Sequence, residues 1–134
     1  MRVYLLSITA LLLAIFIAAG LNKDSLAAEK GAITKAKGGY TVEELYAKKV
    51  ELNGKKVAVR GKAVKINSGI SGKNWVHLQD GSGKQGTNDI TVTTQQTAKV
   101  GDTVLATGVL AADRDFGGGY RYEVILEEAA LTIE

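Results

Sequence analysis

The feature that most constrains the fold is a long alternating segment, Lys55 to Ile66, whose apolar positions change parity partway. Val57 and Val59 mark one face by odd numbers, whereas Val64 and Ile66 mark it by even numbers. One extra residue near Gly61-Lys62 reconciles the two halves, as a β-bulge does. A bulged and bent strand can serve both halves of a small closed barrel, so the segment predicts a barrel.

Four further alternating segments follow, separated by turns in which glycine is frequent. They are the strand beginning at Trp75, Asp89 to Thr94, Thr103 to Ala111, and Tyr120 to Glu127. Five strands at this spacing are typical of a small barrel rather than of a sheet alternating with helices. The sequence therefore predicts an all-β fold, a five-stranded OB-fold barrel over residues 41–134. The polar connector at 95–102 gives no clear helix pattern.

A short helix is predicted before the first strand. Thr41 has the character of an N-cap, and Glu44 three residues later completes a capping box. An amphipathic stripe follows, and Asn53-Gly54 ends it. The stripe consists of Val42, Leu45, Tyr46 and Lys49-Val50. The preceding segment, 28–40, is polar and rich in Ala, Lys and Gly, which predicts a flexible lead-in.

The first 27 residues have the pattern of a secretory signal peptide. An apolar run from Val3 to Leu21 follows Arg2, and a small-x-small site predicts cleavage near 27/28. The alternative is an uncleaved membrane anchor, since the run approaches the length of a spanning helix. We expect a periplasmic or secreted protein that meets the membrane only through this segment. The chain has no cysteine, which excludes a lipoprotein, disulfides and thiolate metal sites.

The segment Trp75-Val76-His77-Leu78-Gln79 indicates a binding surface. Val76 and Leu78 would face the core, which leaves the only Trp, the only His and Gln79 on the opposite face. In OB-folds, ligands lie across the second and third strands, between the first and fourth inter-strand loops. The candidate ligand-binding residues are therefore Lys73, Asn74, Trp75, His77, Gln79, Thr91, Thr93, Arg114 and Phe116. The alternative for Trp75 is a large side chain that covers one end of the barrel.

Several motifs together resemble those of small exported bacterial OB-fold proteins described as nucleic-acid-binding-like. The most specific are Trp-x-His-Leu-x-Asp-Gly at 75–81 and Asp-Phe-Gly-Gly-Gly-Tyr at 115–120. A related group is associated with periplasmic cytochrome nitrite reductase systems. The resemblance covers residues 41–134 and implies a fold and an export route. It implies no specific activity, because OB-folds bind many ligands.

Charge and residue types limit the function further. Residues 30–73 carry eleven basic against three acidic side chains, whereas residues 80–134 carry four against nine. Such asymmetry suits a polyanion, although it also arises from ordinary solvated faces. A single His without Cys makes a poor metal site, and the Asp113 to Gly119 loop is explained as a turn without calcium. We expect no cofactor and no metal.

We also expect no enzyme, since no catalytic constellation stands out. Three functional classes remain open. The protein binds a polyanion or single-stranded nucleic acid, it docks as an accessory on an exported protein such as a respiratory metalloprotein, or it binds a small molecule or metal. The first predicts affinity that falls with salt, the second predicts co-purification with a partner, and the third predicts stabilisation by ligand.

Overall fold

Five strands and two short helices make up residues 33–134, the part of the chain that the computed structural model describes. The elements are α1 (Val42–Ala47), α2 (Lys49–Leu52), β1 (Lys56–Ile70), β2 (Lys73–Gln79), β3 (Ile90–Thr94), β4 (Thr103–Asp115) and β5 (Arg121–Ile133). The predicted all-β class and the short helix before the first strand are confirmed. The predicted signal peptide, 1–27, and the start of the lead-in lie outside the described residues.

The strands form a closed barrel in the order β1-β2-β3-β5-β4, with β4 returning to pair with β1. The β3–β5 pair is parallel and the other pairs are antiparallel. β1 serves two partners, because its first half pairs with β4 and its second half pairs with β2. β1 is long because it pairs with both β4 and β2. β4 and β5 end at Asp115 and Ile133, well past the predicted ends at Ala111 and Glu127.

Alternating apolar side chains fill the barrel. Val76 lies opposite Val92 and Leu78 lies opposite Ile90, and all four are fully buried. The predicted orientation of β2 is therefore confirmed, with the side chains of Trp75 and its alternate neighbours on the outer face. The connector at 95–102 contains no helix.

The bulge in β1 lies two to three residues later than predicted. Ala63 pairs with Leu78 and Lys65 pairs with His77, so that Val64 is the extra residue. Val64 is 38% exposed, and the expectation that it faces the core is wrong. Gly61 keeps a regular pairing with β4. Its lack of a side chain has another reason, since a Cβ there would lie 3.0 Å from the Cβ of Leu78.

A second bulge lies in β5 at Glu128. One residue more on β5 than on β3 or β4 separates the flanking pairs, and Glu128 has φ +52°. The displaced backbone N–H of Glu128 donates to Oγ1 of Thr93 at 3.2 Å. Gly108 faces the bulge from β4, and a Cβ there would lie 2.7 Å from the carbonyl oxygen of Glu127. The bulge is thus accommodated by a buried hydroxyl on one side and a missing side chain on the other.

The two helices form at one end of the barrel. The predicted capping box is confirmed, because Thr41 Oγ1 accepts from the Glu44 N–H and the Glu44 carboxylate accepts from the Thr41 N–H. The helix breaks at Lys48. Val50, predicted in the apolar stripe, is 85% exposed, and Leu52 is buried in its place. Within residues 33–134, no helix is long and apolar enough to span a membrane.

The loop after β2 caps α1 from outside the helix. Asp80 Oδ2 accepts from the Val42 N–H at 2.9 Å, and Ser82 Oγ accepts from the Glu43 N–H at 3.0 Å. Asp80 Oδ1 in turn holds Ser82 through two hydrogen bonds. The first turn of a helix has unpaired N–H groups, which these side chains satisfy. The Asp-Gly-Ser part of the sequence motif therefore joins the barrel to the helix.

The described part of the predicted lead-in, 33–40, packs on β1. The Tyr40 N–H donates to the carbonyl of Ala58 at 2.9 Å, and Tyr40 forms a parallel bridge with Val59. Ala36 is buried. Arg60 donates to the carbonyl of Thr34 at 3.0 Å. These contacts fix residues 33–40 against the outside of the barrel.

Candidate ligand-binding groove

A groove of about 680 Å³ lies over the outer face of β2. The β1–β2 turn forms one wall, and the tip of the β4–β5 hairpin forms the other. The floor comes from β1 and β2. The lining residues are Lys65, Asn67, Ile70, Ser71, Lys73, Trp75, His77, Arg114, Phe116, Tyr120 and Tyr122.

Aromatic rings form the wall between β2 and the hairpin. Trp75 stacks on Tyr122 with ring centroids 6.1 Å apart, and Phe116 meets Trp75 edge-on at 5.4 Å. Phe116 also meets Tyr122 edge-on at 5.8 Å. The indole N–H of Trp75 donates to the carbonyl of Ile70 at 2.9 Å. Each aromatic pair contributes about 0.5–1.5 kcal/mol beyond its buried area, so the cluster holds the hairpin tip against β2.

Among the residues of the described part of the chain that line the groove, three carry cationic side chains and none carries a carboxylate. Lys73 lies with its Nζ 6.0 Å from the Trp75 ring centroid, and the Arg114 guanidinium lies 4.5 Å from the Phe116 ring centroid. Lys65 is the third. Glu127, outside the lining, is 3.5 Å from the Arg114 Nε and balances part of its charge. The groove therefore favours anions.

The floor carries a polar network around Asp89. His77 Nδ1 lies 2.8 Å from Asp89 Oδ1, and Gln79 donates to Asp89 Oδ2 at 3.2 Å. Burial alone would raise the pKa of Asp89. The hydrogen bonds from His77 and Gln79 and the charges of His77 and Lys65 outweigh it, so the pKa lies below its ordinary value of 3.8. Asp89 is therefore ionised at neutral pH and accepts from both side chains.

Tyr46 connects this network to α1. Its hydroxyl donates to the backbone carbonyl of Asp89 at 2.6 Å. Burial, followed by the charges of Asp89 and Glu123, raises the pKa of Tyr46 to about 12. The hydroxyl thus keeps its proton and remains a donor. The helix helps to fix the segment that positions the groove floor.

The base of the hairpin is also tied to the helices. Lys49 on α2 forms ion pairs with Asp113 at 3.5 Å and Glu123 at 3.3 Å. The Ala112 N–H donates to Asn53 Oδ1 at 3.0 Å, beside the end of α2. At the tip, the Phe116 N–H donates to the carbonyl of Tyr120 and closes a glycine-rich turn. The hairpin wall is held at both its base and its aromatic tip.

The groove brings together five of the nine candidate residues, namely Lys73, Trp75, His77, Arg114 and Phe116. Gln79 contributes indirectly through Asp89. Asn74 is used in the fold instead, because it accepts from the Gly69 N–H and donates to the carbonyl of Gln96. It steadies the β1–β2 turn.

Thr91 and Thr93 require a correction. The sequence predicts both on an open face, and they do share the face of their partners His77 and Trp75. Their exposed fractions are only 5% and 1%, however. β3 lies between β2 and β5 and is buried along its whole length. Thr93 serves the β5 bulge, and neither side chain offers appreciable surface to a ligand.

Six lining residues were not among the candidates. Lys65 and Asn67 come from β1, where they pair with His77 and Trp75. Ile70 is the last residue of β1, Ser71 lies in the β1–β2 turn, and Tyr120 and Tyr122 follow the glycine turn. The tyrosines carried a signal in the sequence, because aromatic residues flank both sides of that turn. The β1 pair carried none, since its placement depends on which β2 residues lie opposite it.

No group of three or more His, Asp or Glu side chains within residues 33–134 is arranged to hold a metal ion. Asp80, Asp89 and Asp115 all accept hydrogen bonds from protein groups. The chain matches no known protein family model, and no curated protein matches it.

Proposed function

We propose that this protein is an exported OB-fold binding module whose groove takes a single-stranded, nucleic-acid-like polyanion. The strand order β1-β2-β3-β5-β4 and the position of the groove support the OB-fold assignment. OB-folds bind ligands over the second and third strands between the first and fourth loops. Export is inferred from the signal-like residues 1–27.

The single observation that carries the ligand class is the lining of the groove. Within residues 33–134, the lining includes four aromatic side chains and three cations, and no carboxylate. Aromatic faces stack on bases, and cations contact the phosphates between them. Tyr120 is 68% exposed and is the most accessible ring, whereas Trp75, Phe116 and Tyr122 pack on one another. We propose that this lining binds rather than catalyses.

The experiment uses Trp75, the only tryptophan, as its reporter. We expect saturable quenching on titration with short oligothymidylate. Three phosphate contacts on a single strand give a slope of log K against log salt of about −2, which weakens binding about 20-fold between 50 and 200 mM salt. Lys73→Ala should reduce the slope by about 0.7.

Lys84→Ala is the matched control. Lys84 lies in the β2–β3 loop, beyond the opposite end of β2 from Lys73, and is exposed. The Lys84→Ala substitution removes the same charge from the protein and leaves the groove lining unchanged. Equal loss of affinity in the two variants, or no quenching at micromolar protein, would refute the proposed ligand class.

A protein partner is the second candidate, in keeping with an accessory role on an exported protein. Ile70 is 52% exposed and stands on the groove wall opposite the exposed Tyr120. Large exposed apolar side chains near each other favour contact with a protein. This function predicts salt-insensitive co-purification with an exported partner, lost in Ile70→Ser and retained in Lys73→Ala.

A further inference from the structure

His77 has one ring nitrogen committed to the fold. Nδ1 lies 2.8 Å from Asp89 Oδ1, and the side chain lines the groove. An ionised carboxylate can only accept, so the Nδ1 atom carries a hydrogen. Nε2 is therefore the ring nitrogen that is not engaged with Asp89. Lys65 pairs with His77 across the β1–β2 ladder and lines the same groove.

The elements that pack around His77 place several polar and charged groups near its ring. Asp89 precedes β3, and Tyr46 reaches the Asp89 carbonyl from α1. Thr91 is the neighbour on β3, and Gln79 shares the Asp89 carboxylate. The lining residues that face the groove with His77 and can carry charge are Lys65, Lys73, Arg114, Tyr120 and Tyr122. Asp89 is the one carboxylate in contact with the ring among the described residues.

The two protonation states of His77 treat an anion in opposite ways. When Nε2 is unprotonated it is an acceptor, which repels a phosphate oxygen. When Nε2 is protonated it becomes a donor with a positive charge, beside the ammonium of Lys65. The Asp89 carboxylate offsets the added charge and fixes the ring orientation.

We propose that His77 is a proton-linked phosphate contact, so that polyanion binding in the groove is coupled to uptake of one proton at Nε2. This inference rests on the proposed function and specifies how that site is regulated. Binding is strong at acid pH and weakens as pH rises, because the neutral ring loses its donor. No covalent step is involved, and the proton comes from solvent.

The composition of the chain allows a pH dependence of binding to be attributed to His77. Histidine is the one side chain that ordinarily titrates between pH 5 and 8, and this protein has a single histidine and no cysteine. The oligonucleotide used as the probe must also have no group that titrates between pH 5 and 8. Terminal phosphate monoesters titrate near pH 6, so an oligothymidylate without terminal phosphates is the correct probe.

The experiment measures Kd by Trp75 fluorescence from pH 5.5 to pH 8 at constant ionic strength. We expect affinity to fall by about tenfold across this range, with no interval steeper than tenfold per pH unit, because one proton is involved. Calorimetry in buffers of different ionisation enthalpy should show uptake of up to one proton per oligonucleotide. His77→Gln should bind weakly without pH dependence, whereas Lys65→Ala should bind weakly and keep it.

The outcomes separate this inference from the proposed function. Salt-sensitive binding that is independent of pH in the wild-type protein overturns the role of His77 and leaves the function intact. A pH dependence of binding that persists in His77→Gln also overturns the role of His77, because another group must then titrate. No binding at any pH overturns both. If His77→Gln does not fold, the wild-type proton uptake alone decides.

Discussion

Replacement of Thr93 by valine tests whether a single buried hydroxyl stabilises the β5 bulge. Thr93 Oγ1 accepts from the Glu128 N–H at 3.2 Å, and valine keeps the shape of threonine without the acceptor. The Glu128 N–H would then lie in a partly buried position with no protein partner. An unsatisfied buried donor costs about 1–3 kcal/mol, and partial access to water favours the lower half of that range. We therefore expect a loss of about 1–2 kcal/mol in the free energy of unfolding.

Thr91→Val is the matched control. Thr91 lies on the same strand and the same face, and is also buried. Within residues 33–134 its hydroxyl makes no side-chain hydrogen bond, so the variant reports only the exchange of a hydroxyl for a methyl group. We expect its free energy of unfolding to stay within about 0.5 kcal/mol of the wild type.

The assay is urea unfolding followed by circular dichroism, with thermal unfolding as a second measurement. For about 100 residues, a loss of 1–2 kcal/mol lowers Tm by roughly 5–15 °C. An unchanged m-value would show that the two variants differ in stability and not in compactness. Equal midpoints for Thr93→Val and Thr91→Val would refute the idea that this hydrogen bond supports the bulge.

Three other changes test the fold around the groove. Asp80→Ala removes the acceptor for the Val42 N–H and should cost about 1 kcal/mol of unfolding free energy, measured in urea; no loss would show that water caps α1 equally well. Gly108→Ala should cost about 1–3 kcal/mol in the same assay, because its Cβ would lie 2.7 Å from the carbonyl oxygen of Glu127; unfolding at the wild-type midpoint would show that the bulge yields to the added methyl group. Asp89 has a pKa below its ordinary value, so it stabilises the fold above pH 4, and this stability is lost as pH falls through the lowered pKa. The free energy of unfolding of Asp89→Asn should therefore depend less on pH below 4 than that of the wild type, measured by urea unfolding at several pH values.

Local sequence rules predicted the parts of this fold that depend on neighbouring residues. The capping box at Thr41 and Glu44 needs only a three-residue spacing, and the inward positions of Val76 and Leu78 need only alternation. The second half of the helix was predicted less well, because at helical spacing Val50 and Leu52 lie on the two borders of the apolar stripe and tertiary packing decides which of them is buried. Val50 is exposed, contrary to the prediction, and Leu52 is buried.

The groove was predictable only in part for a related reason. The residues on β2 and at the hairpin tip are recognisable as aromatic and basic side chains next to glycine turns. The burial of Thr91 and Thr93 depends on β5 pairing with β3 in parallel, from more than thirty positions away in the chain. Lys65 enters the groove through its pairing with His77 across the β1–β2 ladder. Such long-range register is set by the whole barrel.

The insertion of β5 between β3 and β4 has a consequence for how the chain reaches its native state. Until β5 docks, β3 and β4 each present an unpaired edge, and such edges can pair with other chains. Two of the barrel's seams, β3–β5 and β4–β5, therefore form only after the last strand has been synthesised. Non-local pairing of this kind slows folding to milliseconds or seconds. Interruption of the chain before Arg121 would leave two open edges, and aggregation rather than a smaller folded barrel is the expected product.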